Sequence, residues 1–392
     1  MIGHELSGLL AVEGRFFFHD PLFEGQKTNS ASAVFQSEYY HEWGDGHSFT
    51  FVPFGRYDTA DPERSHFDIR ELNWLWSADL FELRVGVGKV FWGVTEFVHL
   101  VDIINQTDVV ESVDLEEKLG QPMAQLSIPS DWGIFSVFVL PYFRERTFPG
   151  RRGRLRFELP VDTDDVLYES SAEEDHVDVA ARYSHYIGDW DFGLYYFRGT
   201  GREPWFYPAF DNMGIPQKLT PYYEQIEQTG LDAQFVLGQW LFKLESIYRF
   251  GQINRVYEEE DFCAGIGGFE YTFVRVAETG MDFGIVGEWA YDERRDDATT
   301  WYQNDVMAGF RLAVNDPAST EVLAWLTKDL DVSAKTVNVE ASRRFGDNWK
   351  LNLELRVFII PDKKDPLYAL RGDLLYSLRD DDFLQLELVY YF

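Results

Sequence analysis

The chain has 392 residues, a formal net charge of -32 and a pI near 4.5, a balance that excludes nucleic acid, whose phosphates need a basic footprint. A single cysteine, Cys263, excludes an intrachain disulfide and any multi-cysteine metal cage. Aromatic residues reach 17%, with 12 Trp, 21 Tyr and 33 Phe, yet mean hydropathy is -0.28 and no apolar run approaches the roughly 20 residues of a spanning helix.

Segments of alternating hydrophobicity recur along the chain, and alternation places successive side chains on opposite faces of a strand. The first expected strand is 6–18, with Leu10, Val12, Gly14, Phe16 and Phe18 on one parity and Glu13 and Arg15 on the other. Strands at 31–43 and 47–57 flank the turn Gly44-Asp45-Gly46. Next come 66–77 and 80–91 around Asp79, with Leu72, Trp74 and Trp76, then Phe81, Leu83, Val85 and Val87, on single parities.

The stretch 92–120 breaks this rhythm. It has little period-2 pattern, ends in an acidic, helix-like run from Ser112 to Leu119, and is too long and too apolar for an ordinary exposed loop. Two readings stand: a loop folded into the interior of a barrel, as a constriction or plug, or a helix lying on the outer rim.

Strands resume at 121–129 and 133–143. A loop at 144–173 carries a basic cluster (Arg144, Arg146, Arg151, Arg152, Arg154, Arg156) and then an acidic one. Strands at 175–187 and 190–199 meet at Gly188-Asp189, and a Pro- and aromatic-rich loop covers 200–222. Strands follow at 224–237, 240–250, 262–276, 281–291, 304–314, 320–328, 334–345 and 349–360. Leu367, Leu370, Leu374 and Leu378 recur at helical spacing after Asp365-Pro366, so 361–381 reads as a last long loop with a short helix rather than a strand.

The final segment, Asp382 to Phe392, has Leu384, Leu386, Leu388, Tyr390 and Phe392 on one face and Gln385 and Glu387 on the other, and ends on an aromatic residue. Turns alternate between short Gly/Asp/Asn connections and longer polar ones. By itself the last segment also suits the edge strand of a soluble sandwich. Taken with the turn asymmetry, the chain resembles the porin-like outer-membrane β-barrels of Gram-negative bacteria, in which short turns face the periplasm, long loops face outward and a terminal Phe closes the last strand. The resemblance covers the whole chain and implies one domain, 1–392: an all-β, antiparallel, up-and-down transmembrane barrel of about 18 strands, within roughly 16–20. It also implies an outer-membrane location, contact with lipid and lipopolysaccharide, and recognition of Phe392 by the barrel-assembly machinery. Met1-Ile2-Gly3-His4-Glu5 lacks the basic and apolar regions of a signal peptide, so the numbering is expected to start at the mature protein.

Residues opposite the greasy parity should face the lumen. Those expected to line a pore are Arg15, Glu82, Arg84, Arg182, Lys243, Glu245, Arg249, Arg311, Glu340, Glu354, Arg356 and Glu387, with Glu13, Asp178, Asp232 and Glu288 of the same parity. They are read either as ion pairs bracing the wall or as a charge ladder conducting a polar or ionic solute. His99, Asp102, Asp108 and Glu111 mark the expected constriction loop, its apolar residues anchored to the wall and its carboxylates facing a remaining passage. No catalytic motif, metal set or cofactor motif is present: Gly-x-Ser-x-Gly, a phosphate loop, His-Glu-x-x-His and the Asp-rich calcium loop are all missing. Two functions compete. One is passive passage of small polar or ionic solutes; the other is an export conduit or scaffold working with a periplasmic or inner-membrane partner.

Overall fold

In the computed structural model, which describes residues 3–300, 302–331, 334–361 and 374–392, the first strand shows an inverted distribution of polarity. Leu10, Val12 and Phe16 are 50%, 59% and 47% exposed, while Glu13 and Arg15 are 5% and 9% exposed. The same inversion runs from strand to strand, with apolar side chains outside and charged ones inside. Water cannot stabilise such an outer surface; hydrocarbon can.

The strands are β1 (Gly3–Phe17), β2 (Asn29–Trp43), β3 (His47–Asp58), β4 (His66–Ser77), β5 (Glu82–Gly88), β6 (Gln121–Ser130), β7 (Gly133–Leu140), β8 (Leu167–Tyr168), β9 (Asp178–Ile187), β10 (Trp190–Thr200), β11 (Trp205–Phe210), β12 (Pro216–Tyr223), β13 (Gln225–Leu237), β14 (Trp240–Ile253), β15 (Glu259–Phe273), β16 (Asp282–Asp292), β17 (Asn304–Ala313), β18 (Glu321–Asp329), β19 (Lys335–Phe345), β20 (Trp349–Ile359) and β21 (Phe383–Tyr391). All except β8, β11 and β12 form one 18-stranded antiparallel sheet, each strand pairing with the next one in the chain. The sheet closes where β1 pairs β21, from Leu9 opposite Tyr391 to Phe17 opposite Phe383. Closure removes both free edges, so every strand meets its backbone hydrogen bonds within the sheet, as a spanning structure must. No described helix is long and apolar enough to cross a membrane.

The turns after β2, β6, β9, β13 and β19 are short and gather at one end, with Phe392; the longest connections, after β1, β5, β7, β10 and β20, gather at the other. Gly44, Gly188, Gly238 and Gly346 have φ near +60° in four of these turns, a conformation that a side chain disfavours. Outward aromatic pairs ring the short-turn end: Trp190–Phe235 (4.4 Å), Trp240–Tyr271 (4.6 Å) and Trp349–Tyr390 (4.9 Å). Tyr248–Phe250 (4.7 Å) and Trp289–Tyr291 (5.7 Å) sit toward the other end. Two such belts mark the interfaces of a bilayer.

Several sequence expectations need correction. The strand expected at 80–91 ends at Gly88, and that expected at 133–143 ends at Leu140. The Ser112–Leu119 run is not helical: Leu115 has φ +69°, and the Asp114 carboxylate accepts from Ser112 Oγ (2.5 Å) and the Glu116 amide (3.1 Å). That local turn competes with the helix ladder for the same groups. The loop 200–222 contains a β-hairpin, β11–β12, to which β8 adds in parallel. Of the helix read in 361–381, Leu374–Ser377 is helical, and Leu367 and Leu370 lie outside the described residues.

Candidate functional site: the lumen and its inner loop

Two buried carboxylates hold the inner loop. Glu245 on β14 accepts the backbone amides of Val94 (2.7 Å), Thr95 (3.0 Å) and Val101 (3.2 Å), and the Thr95 hydroxyl (2.7 Å). Glu288 on β16 accepts those of Glu96 (2.7 Å) and Phe97 (3.1 Å). The segment after β5 therefore crosses the interior to the far wall. Its apolar residues Trp92, Val101, Ile103 and Ile104 pack with Phe138, Leu140, Tyr195, Phe197, Ile247 and Phe262 from β7, β10, β14 and β15. On that side much of the inner wall is a hydrophobic core, beside which a cavity of about 100 Å³ remains between the loop and Ile247, Arg249 and Phe262.

The loop then returns along the other wall. Arg56 on β3 grips Glu111 through its Nε (2.9 Å to each oxygen) and its terminal nitrogen (2.7 Å). Arg70 on β4 lies 2.7 Å from Asp108, and Lys118 lies 3.2 Å from Asp102. Asp102, Asp108 and Glu111 thus do not face a passage, as the sequence suggested; each is sunk against a cation, because an unpaired buried carboxylate is costly. The pKa values follow. Burial raises that of Asp102 despite Lys118. Burial also opposes ionisation of Asp108, but His66, Arg70 and Thr147 outweigh it and hold the carboxyl well below the usual range. His99 Nδ1 stands 3.9 Å from Glu245; burial works against its protonation, but that carboxylate more than offsets it and the pKa rises. His66, Asp108 and Glu111 lie close enough to share a metal ion, but Arg70 and Arg56 already occupy the two carboxylates.

Open space remains along β17 to β21. A cavity of about 220 Å³ reaches from Asp329 and Ala334 near the long-loop end to Glu340, and a second of about 430 Å³ continues to Glu321, Ser342 and Lys350 near the short-turn end. Asp114, Glu116, Arg311, Leu323 and Glu340 line both, and so form the neck between them. At this neck Arg311 pairs with Glu96, and Arg356 with Asp114. Arg356 also stands 2.5 Å from Glu354 and 3.8 Å from Glu340. With all five ionised, the carboxylates of Glu96, Asp114, Glu116, Glu340 and Glu354 outnumber Arg311, Arg356 and the Lys243 ammonium that reaches Glu96, so the neck is net acidic above the range in which Glu116 titrates. Burial, followed by the Asp114 charge, pushes the Glu116 carboxyl up to about 7.

Of the expected wall residues, Arg311, Glu340, Glu354 and Arg356 border this open route. The others are spent elsewhere. Arg182 forms a bidentate pair with Asp232 (2.6 and 2.8 Å) beneath Trp92. Lys243 reaches Glu96 (3.2 Å), and Glu245 holds the loop. Arg249 bonds Gln228, Glu203 and Gln252. Arg15 bonds Gln385 (2.8 Å) and Glu387 accepts from Asn352 (2.8 Å). Glu82 and Arg84 stand on β5 opposite Ser127 and Gln125, away from both cavities. Sequence reasoning missed Glu96, Asp114 and Glu116 as members of the neck. Their only signal was being acidic within the stretch that broke the strand rhythm.

This is a porin-like barrel: a closed, 18-stranded antiparallel sheet with an apolar outer band and a loop folded into its lumen. No protein-family profile matches the chain, nor does any curated protein sequence. Among solved structures it is similar to a BenF-like porin from Pseudomonas fluorescens Pf-5, with a TM-score of 0.55 at 9% identity over 100% of this chain and 98% of that one. It is also similar to Wzi, an outer-membrane protein of Escherichia coli involved in group 1 capsule assembly and described as a carbohydrate-binding β-barrel, with a TM-score of 0.51 at 9% identity over 97% of this chain and 83% of that one. At such identities the likeness is one of fold.

Proposed function

We propose that the protein is an outer-membrane channel of Gram-negative bacteria that passes small polar or ionic solutes and prefers cations. The observation that supports this reading best is the run of two cavities along β17–β21, joined at a neck lined by Asp114, Glu116, Arg311 and Glu340. Ion pairs fix the neck's charged groups in place, and its excess of carboxylates sets an attractive potential for cations. Lipid and lipopolysaccharide would surround the apolar band, and the barrel-assembly machinery would read the strand ending in Phe392. The test is the reversal potential of planar bilayers containing the purified protein under a salt gradient. A potential of cation-selective sign, shrinking as salt rises, supports the reading; an anion-selective sign or no conductance opposes it.

A second reading, an export conduit or scaffold with a periplasmic or inner-membrane partner, is favoured by the packing of Trp92, Val101, Ile103 and Ile104 into a core that closes much of the lumen. It predicts a silent barrel that co-purifies with a partner.

A further inference from the structure

The cavity of about 220 Å³ beside the neck is not polar throughout, although the inner face of the wall bounds it. On β18 the inward parity reads Glu321, Leu323, Trp325, Thr327 and Asp329, and its two apolar members line the cavity partly exposed. Phe97 of the inner loop meets Trp325 at 5.3 Å between ring centroids, and Tyr302 lines the same space. Apolar residues of the loop core, such as Val101 and Ile104, are 0% exposed. Leu323 and Trp325 instead face open space, which is unfavourable in water and favours an apolar body laid over them.

The neighbouring row is acidic. Glu340 on β19 lies directly opposite Leu323, and Asn338 directly opposite Trp325, so a polar strip runs beside the apolar one at the spacing of adjacent strands, about 4.8 Å. The Glu340 side chain is 43% exposed; Arg356 stands 3.8 Å from it and is already engaged by Asp114 and Glu354. Six carboxylates line the cavity: Glu96, Asp114, Glu116, Asp305, Asp329 and Glu340. Against them stand Arg311 and Arg356, matched by Glu96 and Asp114, and Lys335, which shares the outward parity of Lys328. Glu116 forms no ion pair among the described residues.

We propose that this cavity binds a small organic cation with an apolar or aromatic body, its ammonium group meeting Glu340 and Glu116 and its body lying on Leu323 and Trp325 beside Phe97. An apolar void of about 150 Å³ accepts benzene, so the volume suits a ring with a short ammonium arm. The faces of Trp325 and Phe97 also attract a cation. A metal ion would leave Leu323 and Trp325 facing water. A neutral aromatic would leave the surplus of carboxylates unanswered, and an organic anion would be repelled by it. The inference rests on reading β17–β21 as a solute route and names the chemical class that the route selects.

The experiment is calorimetric titration, at about pH 8, of the detergent-solubilised full-length protein with phenethylammonium, phenethyl alcohol and ethylammonium. It is repeated on Trp325→Ala and on the double variant Glu116→Gln with Glu340→Gln, and the gel shift between unheated and boiled samples confirms that each is folded. Phenethylammonium should bind at least about tenfold more tightly than the alcohol or ethylammonium, since each of those lacks one of its two contacts. Trp325→Ala should weaken it by about fivefold, and the double variant by about tenfold. Equal binding of phenethylammonium and phenethyl alcohol would overturn the proposal. So would undiminished affinity in either folded variant, or no binding of phenethylammonium at all. Titration needs no current, so the two readings fail separately. Cation-selective conductance without phenethylammonium binding would remove this inference and keep the channel; binding to a barrel that carries no current would keep the site and remove the channel.

Discussion

Glu245 and Thr95 meet deep in the barrel, with the carboxylate Oε1 2.7 Å from the Thr95 hydroxyl and 3.0 Å from its backbone amide. One fully buried side chain on β14 thereby fixes a loop that leaves the sheet about 150 residues earlier, since the same carboxylate also takes the amides of Val94 and Val101. Replacing it by Ala strands those donors at a cost of about 1.5–3 kcal/mol for a hydrogen bond to a charged group. Glu245→Ala should lower the temperature at which the unheated gel band shifts and add fluctuations to the single-channel current. An unchanged gel transition with a quiet trace would mean that the loop is held elsewhere.

Deleting the loop is a stronger form of the same test. A variant lacking 94–119 loses Glu96, Asp114 and Glu116 from the neck together with the apolar core around Val101 and Ile104. Planar-bilayer conductance should rise and cation preference should fall. Identical conductance in the intact and deleted proteins would mean that the loop does not restrict the route.

The neck should respond to pH through Glu116, whose carboxyl titrates at about 7. A carboxyl with a raised pKa is neutral below that value and charged above it. Cation preference should therefore increase as pH rises from about 6 to 8. Glu116→Gln should shrink this step, because Glu340 and Asp305 border the same route and also respond to pH. A step of undiminished size in the variant would assign the titration to those groups alone.

The closure of the barrel makes a separate prediction. The Gly8 amide donates to the Phe392 carbonyl and the Phe392 amide to the Gly8 carbonyl, each at 3.0 Å. A Cβ added at Gly8 would lie 2.6 Å from the Phe392 ring and 2.7 Å from the Gln36 backbone oxygen, closer than such atoms approach. Gly8→Ala, Phe392→Asp and deletion of Phe392 should each lower the amount of heat-modifiable barrel recovered from outer membranes. Undiminished recovery of all three would remove any role for this contact in assembly.

Period-2 alternation made most of the barrel legible, because each wall residue is solvated on one side by lipid and on the other by water or charge. Where the inner face meets the packed loop, both parities are apolar. Ile134, Phe135, Val137, Phe138, Val139 and Leu140 on β7 form such a run, with Phe138 and Leu140 buried inward. Strands apolar on both faces are therefore the trace that an inner loop leaves in the wall, and that clue went unread. The β11–β12 hairpin was hidden by Pro208, Pro216 and Pro221, which argue against a central strand but are tolerated in this small three-stranded sheet. The neck was legible on the wall side, in Arg311, Glu340, Glu354 and Arg356, because parity assigns them inward. Its loop side was not, since Glu96 and Asp114 are placed by long-range bonds to β14, β16 and β20 that no local pattern encodes, and Glu116 follows Asp114 through a local turn.

The central claim is that solute crosses between the inner loop and the β17–β21 wall. The most direct measurement is the single-channel current of Leu323→Cys, made with Cys263→Ser, before and after a cationic methanethiosulfonate reagent. Leu323 lines both cavities at the neck, whereas Cys263 is exposed on the outer face of β15, and Cys263→Ser leaves the neck thiol as the sole one in the chain. The account predicts a stepwise loss of conductance and of cation preference in Leu323→Cys, and none in Cys263→Ser alone. An unaltered current in a Leu323→Cys protein shown by mass to be modified would contradict it.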